Sequence, residues 1–263
     1  MLDTRGSSII CDDQKLVLIT GAGSGIGRAL CIEAVQRGMA VALCGRRHDA
    51  LVATAALLGP TASYLIIPAD ITRPEGRLRI VERIWNEYGA LDILINNAGV
   101  VEYGPLEKFD DDAIVRTLQT NIEAPMALTR DLMPLLIAAR PSRVVNVGSI
   151  FGDIGYPNFT CYSATKFALR GFSNALRREW KHKGIDVTYA APRATLTDAT
   201  AAFAGLIKRT NTKLDAPEQV ARQIWRAVAS GHDSVYAPAP HKLYVMIQRL
   251  FPRAFDWTLS RPT

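Results

Sequence analysis

Short apolar runs alternate along this chain with stretches in which apolar residues recur every three or four positions. The runs at 17–19, 40–44, 63–67, 91–95, 143–147, 185–190 and 234–236 read as strands. The first, Val17-Leu18-Ile19, is apolar at successive positions, as in a strand covered on both faces of a parallel sheet. Between the runs, Ile26, Leu30, Ala34 and Val35 keep helical spacing up to Gly38, and further helices are expected at 48–58, 74–88, 110 to about 139, 158–183 and 217–230. Asp110-Asp111-Asp112 places three acids at the positive end of the fourth of these helices, and Pro217-Glu218 opens the last. Within the 110–139 stretch, Pro125 would deprive the Asn121 carbonyl of its usual partner, which predicts a local opening of that helix. Strand followed by helix, repeated, is the α/β pattern.

The first strand runs directly into Gly21-Ala22-Gly23-Ser24-Gly25-Ile26-Gly27. A long-spaced G-x-G-x-x-G fingerprint would need its third glycine at position 26 or 28, where Ile26 and Arg28 stand; the pattern present is T-G-x-x-x-G-x-G, on Thr20, Gly21, Gly25 and Gly27. In either spacing glycine admits a tight turn and a close backbone approach, and the following helix presents unpaired N–H groups to a pyrophosphate. The second strand ends in Cys44-Gly45-Arg46-Arg47, without the acid that would bind the ribose 2′-hydroxyl of NAD. A small residue followed by arginine leaves room and charge for the 2′-phosphate of NADP, the other reading being two solvated surface arginines. Asn96-Asn97-Ala98-Gly99 follows a strand, and its amides can tie neighbouring strands together. Gly148-Ser149 comes at a strand's C-terminal end, where open parallel sheets bind ligands. Thirteen positions after Ser149, Tyr162 and Lys166 stand four residues apart on one helical face, so that an ammonium can lie near a phenol and lower its pKa from a reference of about 10.

Taken in order, T-G-x-x-x-G-x-G, N-N-A-G, Ser149 and Y-x-x-x-K resemble the short-chain dehydrogenase/reductase family over roughly residues 15–236. The resemblance implies a doubly wound Rossmann sheet of about seven mostly parallel strands with helices on both faces. It implies an enzyme transferring hydride between NADP(H) and a carbonyl or alcohol. Tyr162 would be the general acid, Ser149 the hydrogen-bond donor to the carbonyl oxygen, Lys166 the cation that lowers the tyrosine pKa and holds the nicotinamide ribose, and Asn121 the anchor of a relay water. The cofactor would lie on Gly21, Gly23, Ser24, Gly25, Ile26 and Gly27, with Gly45, Arg46 and Arg47 at its 2′-phosphate. Asp70 and Ile71 would meet the adenine, although Asp70 also reads as a helix cap. Asn97, Ala98 and Gly99 would pass beneath the cofactor, and Pro192, Thr195 and Thr197 would meet the nicotinamide carboxamide. Arg193 stands where the family usually has glycine, and Ser24 where NADP-dependent members often have a basic residue. Residues 193–215 occupy the place of the family's variable substrate lid. A non-catalytic NADP(H) sensor or scaffold is the competing class, which would have no need of Ser149, Tyr162 and Lys166 together.

The chain has 263 residues, 48% hydrophobic and 21% charged, enough for one large α/β domain spanning 15–240 after a flexible leader at 1–14. Cys11, Cys31, Cys44 and Cys161 show no C-x-x-C spacing and no clustering with the four histidines, so neither a metal site nor a disulfide framework is expected. The net charge of +6 is carried by scattered Lys and Arg without a basic block, which gives no support to nucleic-acid binding. No apolar stretch is long enough to span a membrane and the N-terminus does not read as a signal peptide, so a cytoplasmic protein is expected, as a homodimer or homotetramer by the family resemblance. The tail at 241–263 interleaves Leu243, Met246, Ile247, Leu250, Phe251, Phe255 and Leu259 with Lys242, Arg249, Arg253 and Arg261; it reads as a peripheral membrane contact, a cover over an apolar substrate, or a subunit interface. The aromatic-rich lipid-facing reading, and the amphipathic tail beside the lid, favour an apolar ketone or aldehyde as substrate.

Overall fold

The computed structural model describes residues 14–236 and 241–251, with Arg253 and Asp256. Residues 1–13 of the expected leader at 1–14, and Pro252, Phe255, Trp257, Leu259 and Arg261 of the tail, lie outside the described residues.

Seven strands form one sheet: β1 (Leu16–Thr20), β2 (Ala40–Gly45), β3 (Tyr64–Pro68), β4 (Ile93–Asn96), β5 (Ser142–Val147), β6 (Ile185–Ala191) and β7 (Ser234–Tyr236). Their order is β3-β2-β1-β4-β5-β6-β7, and every neighbouring pair is parallel, so the expected "mostly parallel" sheet is parallel throughout. The order reverses between β1 and β4, which opens a crevice at their C-terminal ends.

Both faces of the sheet are covered, and this explains the unbroken apolar run of β1. Leu16 and Leu18 join a core with Ile80, Leu94, Leu128, Leu136 and Leu176, while Val17 and Ile19 join the opposite core with Leu30, Val41, Leu43, Ile224 and Trp225. The first layer is supplied by α3 (Pro74–Tyr88), α5 (Ala124–Asp131), α6 (Met133–Ala138) and α7 (Thr160–Trp180), and the second by α1 (Gly25–Gln36), α2 (His48–Ala55) and α9 (Pro217–Ala229). Trp225 is wholly buried and satisfies its indole N–H on the Leu30 carbonyl at 3.1 Å, locking α9 onto α1.

The expected single helix over 110–139 is instead a broken series. It comprises α4 (Asp111–Leu118), a π-helical turn (Gln119–Glu123), then α5 and α6, with Asp110 capping the start by accepting from the Ala113 N–H at 2.7 Å. The π turn falls on Asn121, where Pro125 withdraws a donor, so the expected opening is present, and Pro134 at the start of α6 accounts for the second break. Helix α7 begins two residues later than expected and gives way to a tighter turn at Lys181–Lys183. In the expected lid, a 3₁₀ segment (Asp198–Phe203) leads into α8 (Ala204–Arg209). The tail forms α10 (His241–Leu250), which buries Val245 and leaves Tyr244, Met246, Leu250 and the following Phe251 exposed. Among the described residues no helix is long and apolar enough to cross a membrane.

Candidate active site

The glycine turn after β1 is shaped by contacts that leave no room for side chains. A Cβ on Gly27 would fall 2.1 Å from the Gly21 carbonyl oxygen and 2.7 Å from the Asn97 amide nitrogen, so only glycine lets α1 start this close to β1 and β4. The Thr20 hydroxyl accepts from the Asn97 and Ala98 N–H groups, both at 3.0 Å, and donates to the Ile95 carbonyl. The Asn97 amide returns a hydrogen bond to the Thr20 carbonyl at 2.9 Å. One strand further, Asn96 donates to the Asn146 side-chain oxygen and to the Thr129 hydroxyl, and Asn146 donates to Ser173, so a buried polar chain ties β4, β5, α5 and α7. The asparagines of N-N-A-G therefore link β4 to both neighbours.

A cleft of about 320 Å³ opens over this turn. Gly21, Gly23, Ser24, Gly25, Ile26 and Gly27 form its floor at the start of α1, and Ser24 caps that helix with no side-chain hydrogen bond, which leaves the first N–H groups of the helix free to meet an anion. Gly45, Arg46 and Arg47 stand at one end with Asp70 and Ile71, and Asn97, Ala98 and Gly99 form the opposite wall. Arg46 and Arg47 are exposed. Asp70 does not cap α3, whose N-cap is Arg73; it accepts from the Thr72 N–H at 2.9 Å and from the Thr72 hydroxyl at 2.7 Å. Burial alone would raise the Asp70 carboxyl, but the Thr72 hydrogen bonds, with Arg46 and Arg73 beside it, hold it below its usual value. Thr72 and Thr120 also line this cleft and carry no motif of their own; only their proximity in the fold brings them in.

A second cavity, of about 500 Å³, shares Ile26, Asn97, Gly99, Thr197 and Ala199 with the first. Ser149, Tyr162 and Lys166 converge in its wall, as do Pro192, Thr195 and Thr197. The rest of the lining is largely apolar and aromatic, with Phe151, Tyr156, Phe159, Phe203, Leu206 and Ile207. Phe159 packs at 5.0 Å from Phe151 and 5.1 Å from Phe203, so the wall is a connected cluster of rings. Arg193, where glycine was expected, turns its guanidinium to Asp215 in a two-pronged ion pair at 2.7 and 2.5 Å. Backbone bonds from Leu196 N–H to Asp215 and from Asp215 N–H to Ala194 complete a clasp at the base of the 195–215 segment.

The electrostatics of the site depart from the sequence expectation in one respect. Burial pushes the Tyr162 phenol up to about 12, and the nearby Ser149 hydroxyl only partly offsets it. Lys166, 4% exposed, lies 5.5 Å from the Tyr162 ring centre and donates to the Val147 carbonyl at 3.0 Å. Its own pKa is driven down to about 8 by burial. The expected lowering of the tyrosine is therefore outweighed in the chain by itself, because desolvation acts on both groups. Asn121 lines neither cavity; its amide group exchanges two hydrogen bonds of 2.8 Å with the backbone of Val100 and donates to Thr165 at 3.2 Å, which fixes the loop after N-N-A-G against α7. A Cβ on Gly99 would meet both Asn121 and Lys166, so the two side chains face the same point of that loop.

Fold and site together define a dinucleotide-binding α/β protein with a serine, a tyrosine and a lysine gathered beside the dinucleotide cleft. A family model described as short chain dehydrogenase matches residues 15–205, and the chain belongs to that family of oxidoreductases, which use a nicotinamide cofactor. The chain is 33% identical over 186 residues, 71% of its length and 76% of the relative's, to a 3-oxoacyl-(acyl-carrier-protein) reductase of Haemophilus influenzae. It superposes with a TM-score of 0.79, at 26% identity and covering 95% of this chain and 96% of the other, on a short-chain dehydrogenase from Sphingobium yanoikuyae in complex with NADPH. A short chain dehydrogenase/reductase from Burkholderia phymatum in complex with NAD shares the fold at a TM-score of 0.83 and 21% identity, covering 97% of this chain and 98% of that one.

Proposed function

We propose that this chain is an NADP(H)-dependent oxidoreductase that reduces an apolar ketone or aldehyde. The observation that carries the reading is the convergence of Ser149, Tyr162 and Lys166 in the wall of a ring-lined cavity that shares residues with the glycine cleft. The cleft fits a dinucleotide: side chains are excluded at Gly27, helix N–H groups are left open at Ser24, and Arg46 and Arg47 offer charge at the end where a 2′-phosphate would sit. The nicotinamide, when bound, supplies hydride to the carbonyl carbon in reduction and takes it back in oxidation.

Tyr162 gives its proton to the carbonyl oxygen, which needs the protonated phenol that burial favours. Ser149, in the same cavity wall as that phenol, holds the same oxygen and stabilises its growing charge. Lys166 lies beneath the ring and its positive charge favours the phenolate left behind. Asn121 holds the 97–100 loop against Lys166 and anchors the water through which the proton is restored. Residues 193–215 act as the substrate lid of a single dehydrogenase domain. Exposed Val115, Leu118, Met126 and Phe167 on α4, α5 and α7 support assembly into a homodimer or homotetramer.

The test is NADPH and NADH oxidation over ketones and aldehydes of increasing apolar bulk, from short aliphatic to ring-bearing. NADPH-dependent reduction that improves with apolar bulk is expected; turnover restricted to NADH or to small polar carbonyls would contradict the reading. The exposed apolar side of α10 supports a lipid contact by the tail. Full-length protein is expected to float with anionic vesicles, and a chain ended at residue 236 is expected to stay behind. A full chain that never floats would remove the membrane contact.

A further inference from the structure

Ser149 is held from below by a residue that no sequence motif marked. We propose that Tyr189 is a positioning residue for Ser149, a phenol that clamps both backbone groups of the serine and so sets where its hydroxyl stands relative to Tyr162. The inference rests on the roles of Ser149 and Tyr162 proposed above.

Tyr189 lies in β6, is 2% exposed and is not among the residues lining either cavity. Its hydroxyl donates to the Ser149 carbonyl at 3.1 Å and accepts from the Ser149 N–H at 3.4 Å. A single group bonded to both sides of one residue resists rotation of that residue about its backbone, because turning it breaks two hydrogen bonds inside the protein. The chain also gives up side chains to admit the ring. A Cβ on Gly148 would lie 2.2 Å from a ring carbon of Tyr189, and one on Gly152 would lie 2.3 Å from its hydroxyl. Both glycines flank Ser149, so the segment is moulded around this phenol.

A second tie completes the arrangement. Asp153, four residues after Ser149 and 3% exposed, forms an ion pair with Arg170. Arg170 is spaced four residues from Lys166 and eight from Tyr162 on α7, so all three share a helical face. Tyr236 of β7 reaches Asp153 at 3.5 Å and stands edge-on to the Tyr189 ring at 6.5 Å. The short segment carrying Ser149 is thus pinned to β6 at one end and to the helix of Tyr162 at the other. The distance between serine and tyrosine follows from two fixed supports rather than from the loop alone.

Tyr189→Phe tests this, since it keeps the ring that fills the space over the glycines and removes only the hydroxyl. On the best carbonyl of the panel, kcat is expected to fall roughly tenfold as Ser149 loses the two hydrogen bonds that position it. The dissociation constant of NADPH should stay close to wild type, while the melting temperature should fall by a few degrees because two buried hydrogen bonds are lost. Amide hydrogen exchange in peptides covering 148–153 should speed up while exchange in 16–36 is unchanged. An unchanged kcat in the active enzyme, a kcat loss matched by an equal loss of NADPH affinity, or unchanged exchange at 148–153 would each overturn the proposal. The exchange measurement needs no substrate, so it judges the clamp even if the wild-type protein reduces none of the carbonyls, a result that would count against the functional reading alone.

Discussion

A lysine ammonium buried to 4% exposure is costly, and Lys166 shows the cost in a pKa lowered from 10.5 to about 8. Because the folded value lies below the unfolded one, the unfolded chain holds more protons between these limits, so this group's contribution to stability rises as pH climbs from about 8 toward 10.5. Below about 8 the folded protein carries the full penalty of the buried charge, about 3 kcal/mol. Lys166→Met is therefore expected to gain melting temperature over wild type at pH 7, with the difference shrinking steadily as pH rises through 8 to 10.5. A difference that stays constant with pH would show that the lysine is not desolvated. Tyr162 responds in the opposite sense, since burial raises it to about 12 and keeps the acid protonated at working pH. Tyr162→Phe removes only the acid's hydroxyl, so kcat should drop by about 10²–10⁴-fold while NADPH affinity holds. Residual turnover near wild type would mean that another group donates the proton.

Among elements, those whose apolar pattern has one reading were legible in the sequence, and those set by distant contacts were not. Helix α3 matches its expected span, with Pro74 at its first turn and Gly89 in the left-handed conformation at its end. Pro125 announced the π turn at Asn121, yet the second break before α6 went unread although Pro134 stands in the sequence, because apolar spacing continues across it. The clasp between Arg193 and Asp215 joins residues 22 positions apart, and no local pattern encodes it. Tyr189 was hidden for a similar reason: a lone aromatic in a strand reads as core until the glycines opposite it are brought near. The clasp predicts an effect on the segment it closes. Asp215→Asn leaves Arg193 without its charged partner, which should loosen 195–215, raise KM for the carbonyl by about an order of magnitude and leave NADPH affinity nearly unchanged. Tryptic cleavage at Lys208, Arg209 or Lys213 should accelerate in parallel. Loss of cofactor affinity without either change would place the pair's role elsewhere.

At the scale of the whole molecule, the parallel sheet gathers at one end what the sequence spreads from Gly21 to Pro192. The glycine turn follows β1, Arg46 follows β2, Asp70 follows β3, Asn97 follows β4, Ser149 follows β5 and Pro192 follows β6, each just past the C-terminal end of its strand. Motif order made this layout legible, because parallel strands linked by helices must all end on the same side. The choice between the two dinucleotides was readable only at the end of β2, as an absence of acid and a small residue followed by arginine. In the fold that end holds two exposed arginines, and the nearby Asp70 carboxylate is engaged by Thr72. Binding to the native sheet alone raises its stability with the logarithm of ligand concentration over Kd, so the melting temperature reports the preference without any substrate. At equal concentrations NADPH should raise it more than NADH. The excess should shrink in Arg46→Ala, where one charge facing the 2′-phosphate is gone, and also in high salt, because exposed arginines are screened. Equal shifts for the two cofactors in wild type, or an excess that survives both the substitution and the salt, would show that Arg46 does not select the phosphate.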